Sequence, residues 1–206
     1  MSDVSSAATH PKVAGEFTRL DSLFRKWVLA DPSAEFPAAP GRYHLYVSYA
    51  CPWAHRTMIL RVLKKLEDVI SISFVKPFRD ERGWAFGPLG SANADPLNGY
   101  AFLEEAYLAS DPKYTSRVTV PTLWDRETGQ IVNNESSEII VMLNKAFDEW
   151  GNANLDLYPE RLRAEIDDVN EIVYANVNNA VYRCGFARTQ EAYEVAFHEL
   201  FNTLDW

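Results

Sequence analysis

A strand–helix–strand pattern near the start of the chain strongly limits the folds that this sequence can form. Residues 42–48, RYHLYVS, are rich in aromatic and β-branched side chains, which favours a strand. The next segment, CPWAHRTMILRVLKKL, has helical spacing and carries Pro52 at a favourable first position. Residues 69–76, VISISFVK, alternate as a second strand. Such a unit needs a parallel, right-handed crossover, so we predict an α/β domain.

The segments that follow extend this domain and then change character. Four of them carry helix or strand patterns: residues 100–110 and 135–150 as helices, and residues 118–125 and 130–134 as strands. The predicted order is therefore β-α-β-α-β-β-α, with a hairpin and a closing helix in its second half.

Three parts follow from these patterns. Pro32, Pro37 and Pro40 interrupt the segment before the first strand, so we expect an N-terminal extension over residues 1–40. Residues 41–150 make up the α/β domain. Residues 151–206 predict an all-helical domain, which ends at Trp206 without a glycine cap or polar tail. An apolar helix end of this kind is expected to need a partner.

Composition excludes several classes of function. The 206 residues carry a net charge of −9, which argues against binding to nucleic acid or to an anionic membrane surface. No run of 18 apolar residues and no secretory signal are present, so we expect no membrane span. With two cysteines, no disulfide framework is implied. We therefore expect a cytoplasmic protein.

Cys51 is the strongest candidate for chemistry. It stands where the first strand passes into a helix, and the backbone amides at a helix N-terminus stabilise a thiolate. Ala54 occupies the place of the second cysteine in a C-x-x-C pair. A mixed disulfide on Cys51 would therefore need an outside thiol for its release. The alternative is a small buried cysteine with a packing role.

Two further positions could hold a ligand beside Cys51. The Val120–Pro121 bond interrupts a strand, which fits either a cis peptide that presents backbone to a ligand or an edge strand without a role. Glu135 and Ser136 open the closing helix, where they could bind the ammonium and carboxylate of an amino-acid end. Simple helix capping is the alternative for this pair.

Other side chains are weaker candidates. Trp84 lies in a long Gly/Pro-rich loop, where it could cover a pocket or anchor the loop. Tyr182, between two predicted helices, could serve as a general acid or base, although tyrosines are more often structural. Cys184 is expected to pack, and His55 is expected to pack or to lie on the helix surface. We expect no metal site, because the few histidines do not cluster with cysteines.

Taken together, the motifs resemble those of a known family. The element order with CPWAH, VTVP and NNES resembles the glutathione transferase superfamily, whose first domain is thioredoxin-like. More narrowly, YVSYACPWAHR, RGWAF, RVTVPTLWD, IVNNESSEII and VNNAVYRCGFARTQEAY resemble the Xi class, the glutathionyl-hydroquinone reductases. The resemblance extends from about residue 17 to the end of the chain.

The resemblance implies a role for each candidate. Cys51 matches the catalytic nucleophile, and Tyr182 matches a tyrosine that donates or accepts a proton. Trp84 matches a tryptophan that contacts glutathione. The remaining matches are glutathione-binding positions: Val118, Thr119, Val120 and Pro121 for the backbone, and Glu135 and Ser136 for the γ-glutamyl end.

The implied reaction reduces glutathionyl-hydroquinones to hydroquinones through a Cys51–glutathione disulfide that a second glutathione resolves. Glutathione is then a co-substrate, no cofactor stays bound, and a homodimer is one expected assembly. An Omega-like deglutathionylase or dehydroascorbate reductase remains an alternative. Family members are longer, with two more active-site tyrosines in a full helical domain. We therefore also consider a truncated, inactive glutathione-binding form with an incomplete substrate pocket.

Overall fold

The computed structural model describes residues 13–206, which form two compact units. One unit comprises Ser22–Leu157, and the other combines residues 13–21 with Tyr158–Trp206. The expected extension is thus divided between the two units. Val28 and Phe36, each 1% exposed, belong to the core of the first unit, because burial removes their apolar surface from water.

A four-stranded mixed sheet forms the centre of the first unit. Its strands are β1 (Tyr43–Val47), β2 (Ser71–Phe74), β3 (Thr122–Asp125) and β4 (Gln130–Asn133). The spatial order is β2-β1-β3-β4, with β1 parallel to β2 and antiparallel to β3, and with β3 antiparallel to β4. The parallel crossover and the hairpin predicted from the sequence are confirmed.

Three helices complete this unit. They are α1 (Pro52–Leu63), α2 (Glu104–Ser110) and α3 (Ser136–Lys145), which confirms the predicted order β-α-β-α-β-β-α. Pro52 begins α1 because its fixed φ suits the first helical position and its missing N–H leaves no donor unpaired there. Strand β3 is shorter than its sequence pattern, since it begins only after Pro121, which cannot donate to a strand ladder.

The core surrounds β1. All five residues of this strand are buried, as expected for a central strand that is covered on both faces. Helices α1 and α3 pack against each other, and the ring of Phe147, just beyond α3, meets Tyr43 edge-on at 5.8 Å. Helix α1 and the segment after α3 are therefore part of the packing around the buried strand β1.

A buried lysine joins the end of α1 to the segment after α3. The Lys64 side chain is 0% exposed, and its Nζ donates to Asp148 Oδ1 at 2.7 Å and to the Leu155 carbonyl at 2.8 Å. Gly151 passes so close that an added Cβ would lie 2.6 Å from the Lys64 carbonyl oxygen. The glycine is required here by the contact between backbones.

The second unit is helical. After a single 3-10 turn at Glu160–Leu162 come α4 (Arg163–Val173), a π-helical turn (Tyr174–Asn178), α5 (Asn179–Gly185) and α6 (Gln190–Leu204). Residues 13–21 pack on this unit: the Gly15 carbonyl accepts from Arg188 N at 3.0 Å, and Phe17 lies 5.1 Å from Phe186. No helix in the described part of the chain combines the length and apolar character needed to cross a membrane.

The burial of His44, on β1, leads us to predict that the free energy of unfolding depends on pH. Its side chain is 1% exposed, and its Nδ1 pairs with Ser71 Oγ at 2.7 Å. Burial, with the charges of Arg126 and Arg61, lowers the pKa of His44 to about 3. Below a pH of about 6.5 the unfolded chain binds a proton that the folded chain does not, so stability falls as the pH drops from 6.5 towards 3.

The substitution His44→Leu removes this proton from both states. The free energy of unfolding of the wild type, minus that of His44→Leu, should therefore decrease by about 1.4 kcal/mol for each pH unit from 6 to 4. Urea denaturation at several pH values measures this difference. The exposed His55 offers a matched control, since His55→Gln should follow the wild type. Parallel curves for the wild type and His44→Leu would refute the prediction.

Candidate active site

Cys51 caps the N-terminus of α1, as the sequence predicts. Its backbone is extended, with φ −103° and ψ 112°, and the Cys51 carbonyl accepts the first helical hydrogen bond from His55 N at 3.1 Å. The residue is partly buried, and its thiol donates to the Val120 carbonyl at 3.3 Å. The thiol thus lies at the helix end where the amides and the macrodipole favour an anion.

The segment before β3 faces this thiol. The Val120–Pro121 peptide is cis, as the sequence analysis anticipated, and both residues are buried. Thr119 and Val118 precede them and are partly buried. The structure therefore brings Cys51 and the predicted glutathione-backbone segment together in one place.

Glu135 and Ser136 lie at the start of α3. Glu135 is the N-cap, and its Oε1 accepts from Ser137 N at 3.2 Å and from Ser137 Oγ at 2.9 Å. Its Oε2 accepts from Ser22 Oγ at 3.1 Å. Ser136 is 3% exposed. The capping interpretation is therefore confirmed for Glu135, and ligand binding by Glu135 and Ser136 stays a prediction.

An arginine that the sequence analysis missed joins α1 to this pair. Arg56 donates from Nε and Nη2 to Ser136 Oγ, at 3.1 and 2.8 Å, and its Nη2 lies 3.8 Å from Glu135 Oε1. The available signal was a basic residue at the end of the motif CPWAHR, five positions after Cys51. Its partner on α3 is 80 residues away in the sequence and could not be identified from spacing.

A second group missed from the sequence supports the segment before β3. Tyr107, on α2, is 0% exposed, and its hydroxyl donates to the Thr119 carbonyl at 2.8 Å. The same oxygen accepts from Thr119 N at 3.2 Å and from Asn134 Nδ2 at 3.1 Å. Tyr107 thereby fixes the backbone beside Cys51 and the residue that precedes Glu135.

Trp84 lies in the long loop between β2 and α2. Its ring is partly buried against the core, the guanidinium of Arg79 lies 5.5 Å from the ring centre, and its carbonyl accepts from Leu103 N at 2.9 Å. The loop is organised by the buried Asp95. The tryptophan is therefore held in an ordered loop of the sheet unit.

Tyr182 belongs to the helical unit. The sequence analysis placed it between two helices, whereas it lies within α5, in the last turn before Gly185. The guanidinium of Arg19 lies 5.2 Å from its ring centre, and Phe186 stacks at 6.3 Å. Its role in proton transfer stays a prediction. Nearby, burial raises the pKa of the Cys184 thiol, which is consistent with packing.

The described residues contain no group of three His, Cys, Asp or Glu side chains that could hold a metal ion. Cys51 and Cys184, the two cysteines of the chain, do not form a disulfide. The described site offers a thiol at a helix start, the backbone of the segment before β3, and a carboxylate and a serine hydroxyl at the start of α3.

Comparison with known proteins identifies the family. Residues 50–146 match the family model described as the glutathione S-transferase N-terminal domain. The chain is 52% identical over 192 residues to glutathionyl-hydroquinone reductase PcpF of Sphingobium chlorophenolicum, covering 93% of this chain and 60% of the relative. The chain contains a glutathione S-transferase N-terminal domain.

Other members place the resemblance in the Xi class. The crystal structure of glutathione-S-transferase Xi from Phanerochaete chrysosporium superposes with a TM-score of 0.87 at 53% identity, covering 92% of this chain and 65% of that one. The glutathione-bound structure of YqjG from Escherichia coli K-12 superposes at 0.84 with 49% identity, covering 89% and 62%. The thioredoxin-like domain followed by transferase-type helices is thus confirmed.

One relative carries a different name. The chain is 47% identical over 195 residues to glutathione S-transferase omega-like 2 of Schizosaccharomyces pombe, covering 93% of this chain and 62% of the relative. The chain spans about 60% of the length of the curated relatives it matches.

The buried carboxylate of Asp95 holds together the long loop between β2 and α2. Its carboxylate accepts from the Tyr46 hydroxyl at 3.2 Å and from three loop amides, those of Leu97, Asn98 and Tyr100, at 3.1 to 3.2 Å. Asp95→Ala leaves these donors unpaired and should lower the free energy of unfolding by about 2–4 kcal/mol. Because the loop carries Trp84, for which the resemblance predicts a contact with glutathione, the same change is also expected to weaken glutathione binding.

Urea denaturation and titration with glutathione measure the two effects. Asp95→Asn keeps one carbonyl acceptor and should retain part of the stability. Asp111→Ala, an exposed acidic position on the same unit, controls for the loss of a negative charge. Unchanged stability in Asp95→Ala would show that the loop does not depend on this carboxylate.

Proposed function

We propose that this chain reduces glutathionyl-hydroquinones to hydroquinones with glutathione, using Cys51 as the nucleophile. The observation that carries the proposal is the Cys51 thiol at the N-terminus of α1, 3.3 Å from the Val120 carbonyl, in a glutathione transferase domain. The relative PcpF, named a glutathionyl-hydroquinone reductase, supports the choice of reaction.

The reaction has two steps. The Cys51 thiolate attacks the sulfur of the glutathionyl adduct, forming a sulfur–sulfur bond and breaking the bond between sulfur and the aromatic carbon. That carbon keeps the electron pair and takes a proton, so the ring is reduced while the two sulfurs are oxidised to a disulfide. The thiolate of a second glutathione then attacks the mixed disulfide, releasing glutathione disulfide and the Cys51 thiolate.

A lone thiol suits this cycle. Ala54 is 0% exposed and stands one helical turn after Cys51, in the place where a resolving cysteine would form an internal disulfide. The chain has one other cysteine, Cys184, which belongs to the helical unit. Resolution by an outside thiol is therefore part of the proposal, and it makes glutathione the co-substrate of the second step.

The remaining candidates take binding roles. The backbone from Val118 to Pro121 would pair with the glutathione backbone, next to the attacking sulfur. Glu135 would bind the ammonium of the γ-glutamyl end, and Ser136, with the α3 amides, its carboxylate. Trp84 would contact glutathione from the loop, and Tyr182 would assist the proton transfer to the ring carbon. The glutathione-bound structure of YqjG supports glutathione as the ligand.

An aromatic pair close to Cys51 favours an aromatic leaving group. Tyr49, two residues before Cys51, stacks on Phe74 with ring centres 4.2 Å apart and planes inclined by 10°. Tyr49 is 75% exposed, and β1 and β2 end side by side at Val47 and Phe74. A flat aromatic surface at this edge suits the planar ring of a hydroquinone better than a polar, non-aromatic ligand.

An Omega-like activity is the second candidate, in which Cys51 removes glutathione from other disulfides or reduces dehydroascorbate. The 47% identity to a relative named omega-like favours it. It shares the nucleophile and the mixed disulfide, and differs in the group that leaves. The expected cytoplasmic location and the homodimer stay predictions.

Replacing Cys51 tests the nucleophile. Cys51→Ala and Cys51→Ser should each lower turnover of a glutathionyl-hydroquinone by at least about a thousandfold, because the thiolate makes the first bond. Hydroquinone release, followed by liquid chromatography, measures the rate, and mass spectrometry should place a glutathione adduct on Cys51 of the wild type. Cys184→Ser is the matched control and should retain activity. Equal turnover in the wild type and Cys51→Ala would refute the proposal.

Tyr49→Leu tests the choice of substrate. Loss of the stacked ring should raise KM for an aromatic adduct by about three- to tenfold. It should leave the reduction of glutathionyl-2-mercaptoethanol unchanged, since that substrate offers no ring. The control is Leu89→Ala, another exposed apolar position in the same unit. A larger loss with the aliphatic disulfide than with the aromatic adduct would favour the Omega-like activity.

A further inference from the structure

The contact between Arg56 and Ser136 has a chemical consequence for the serine. A serine hydroxyl has two lone pairs and one proton, and a guanidinium has only donors. Both nitrogens of Arg56 that reach Ser136 therefore donate to Oγ, at 3.1 and 2.8 Å. The oxygen is used as an acceptor by Arg56, and the proton of Ser136 is left for a different acceptor.

The surroundings of Ser136 make that proton available to a ligand. Ser136 is 3% exposed and opens α3, where the amides of Ser137 and Glu138 already donate to Glu135 Oε1 and to the Glu135 carbonyl. A buried hydroxyl proton without an acceptor is costly. A ligand that offers an acceptor oxygen at a helix start satisfies this proton, and a carboxylate is the simplest example.

Arg56 is itself held in position. Its guanidinium lies 5.5 Å from the ring centre of Trp53, which is 8% exposed, and its Nη2 lies 3.8 Å from Glu135 Oε1. The arginine therefore sits between a buried aromatic ring and the two candidate residues for the γ-glutamyl end. The positive charge of Arg56 favours the binding of a carboxylate next to Ser136. The same charge balances the negative charge of Glu135.

We propose that Arg56 is a positioning residue, which orients the Ser136 hydroxyl so that its proton points to the α-carboxylate of a γ-glutamyl thiol. The inference rests on the proposed function, because that function brings glutathione to this site. Arg56 does not touch the reacting sulfur. It acts through Ser136, and its effect is confined to ligands that carry the γ-glutamyl carboxylate.

One helix would then set two ends of the ligand. Cys51 caps α1 and Arg56 lies five residues further along the same helix, a rise of about 7.5 Å. The thiol and the arginine cannot shift relative to each other without unwinding α1. The distance between the sulfur of the bound thiol and its α-carboxylate is thereby matched to a rigid element and not to a loop.

The test compares two thiols that differ in the γ-glutamyl group. Cys51 of the full chain is first converted to its mixed disulfide with 2-mercaptoethanol, and the release of 2-mercaptoethanol by glutathione or by cysteinylglycine is then measured. In Arg56→Met, the Ser136 hydroxyl is no longer oriented towards the α-carboxylate of glutathione, so its hydrogen bond to this charged group is lost. The apparent affinity for glutathione should therefore fall at least about tenfold. The rate with cysteinylglycine should stay unchanged, and Arg56→Lys should restore part of the glutathione affinity.

A double-mutant cycle checks that the effect passes through the serine. Ser136→Ala should cause a loss similar to that of Arg56→Met, and the double variant should lose little more, because the two side chains act as one unit. Additive losses, or an equal loss with both thiols, would overturn the proposal and leave Arg56 a structural residue. If Arg56→Met does not fold, as judged by circular dichroism, Arg56→Lys and Ser136→Ala carry the same comparison.

This outcome is separable from that of the proposed function. A wild type that prefers glutathione to cysteinylglycine through Arg56, yet does not release hydroquinone, would refute the reaction and support the positioning role. A wild type that turns over glutathionyl-hydroquinones without any dependence on Arg56 would refute the positioning role and support the reaction.

Discussion

The buried hydroxyl of Tyr107 is the contact on which most of the candidate site depends. It donates to the Thr119 carbonyl and accepts from the Thr119 and Asn134 nitrogens, so α2, the segment before β3 and the start of α3 meet at one oxygen. Tyr107 is 0% exposed, and a backbone amide that is buried without a partner costs free energy. The free energy of these bonds therefore holds the backbone beside Cys51 in one conformation.

The hydrogen bonds of Tyr107 explain how the segment before β3 stays ordered although it lies outside the strand. Strand β3 begins at Thr122, so the residues from Val118 to Pro121 contribute nothing to the ladder between β1 and β3. Tyr107 supplies the missing hydrogen bonds at Thr119, and the Val120 carbonyl remains within reach of the Cys51 thiol. Rigid backbone that is not committed to a sheet is what a ligand's own backbone can pair with.

Local patterns were sufficient to predict the framework. Aromatic and β-branched runs marked the strands, Pro52 marked the start of α1, and the acidic and serine residues marked the start of α3. Cys51 was identified because its position follows from the strand and helix on either side of it. Each of these signals lies within a few residues of the feature that it predicts.

The contacts that stabilise the site were not predictable in this way. Arg56 meets Ser136 across 80 residues, and the Tyr46 hydroxyl meets Asp95 across 49, so neither pair leaves a mark in the spacing of the sequence. The burial of Phe36 was hidden by the prolines around it, which are typical of a linker. Such pairings depend on how elements pack, and packing is decided by the whole chain.

The π-helical turn between α4 and α5 has a consequence for the geometry of the helical unit. A π turn holds one residue more than an α turn, so every side chain after Asn178 is rotated by about 100° about the helix axis relative to an unbroken α-helix. Tyr182 and Arg183 are both downstream of this turn. This rotation allows Arg183 to pair with Glu16 and Glu199. It also places the ring of Tyr182 beneath the guanidinium of Arg19. A deletion of one residue within Tyr174–Asn178 would therefore rotate the rest of the helix about its axis. Different residues would then face these partners, while the helix itself would remain intact.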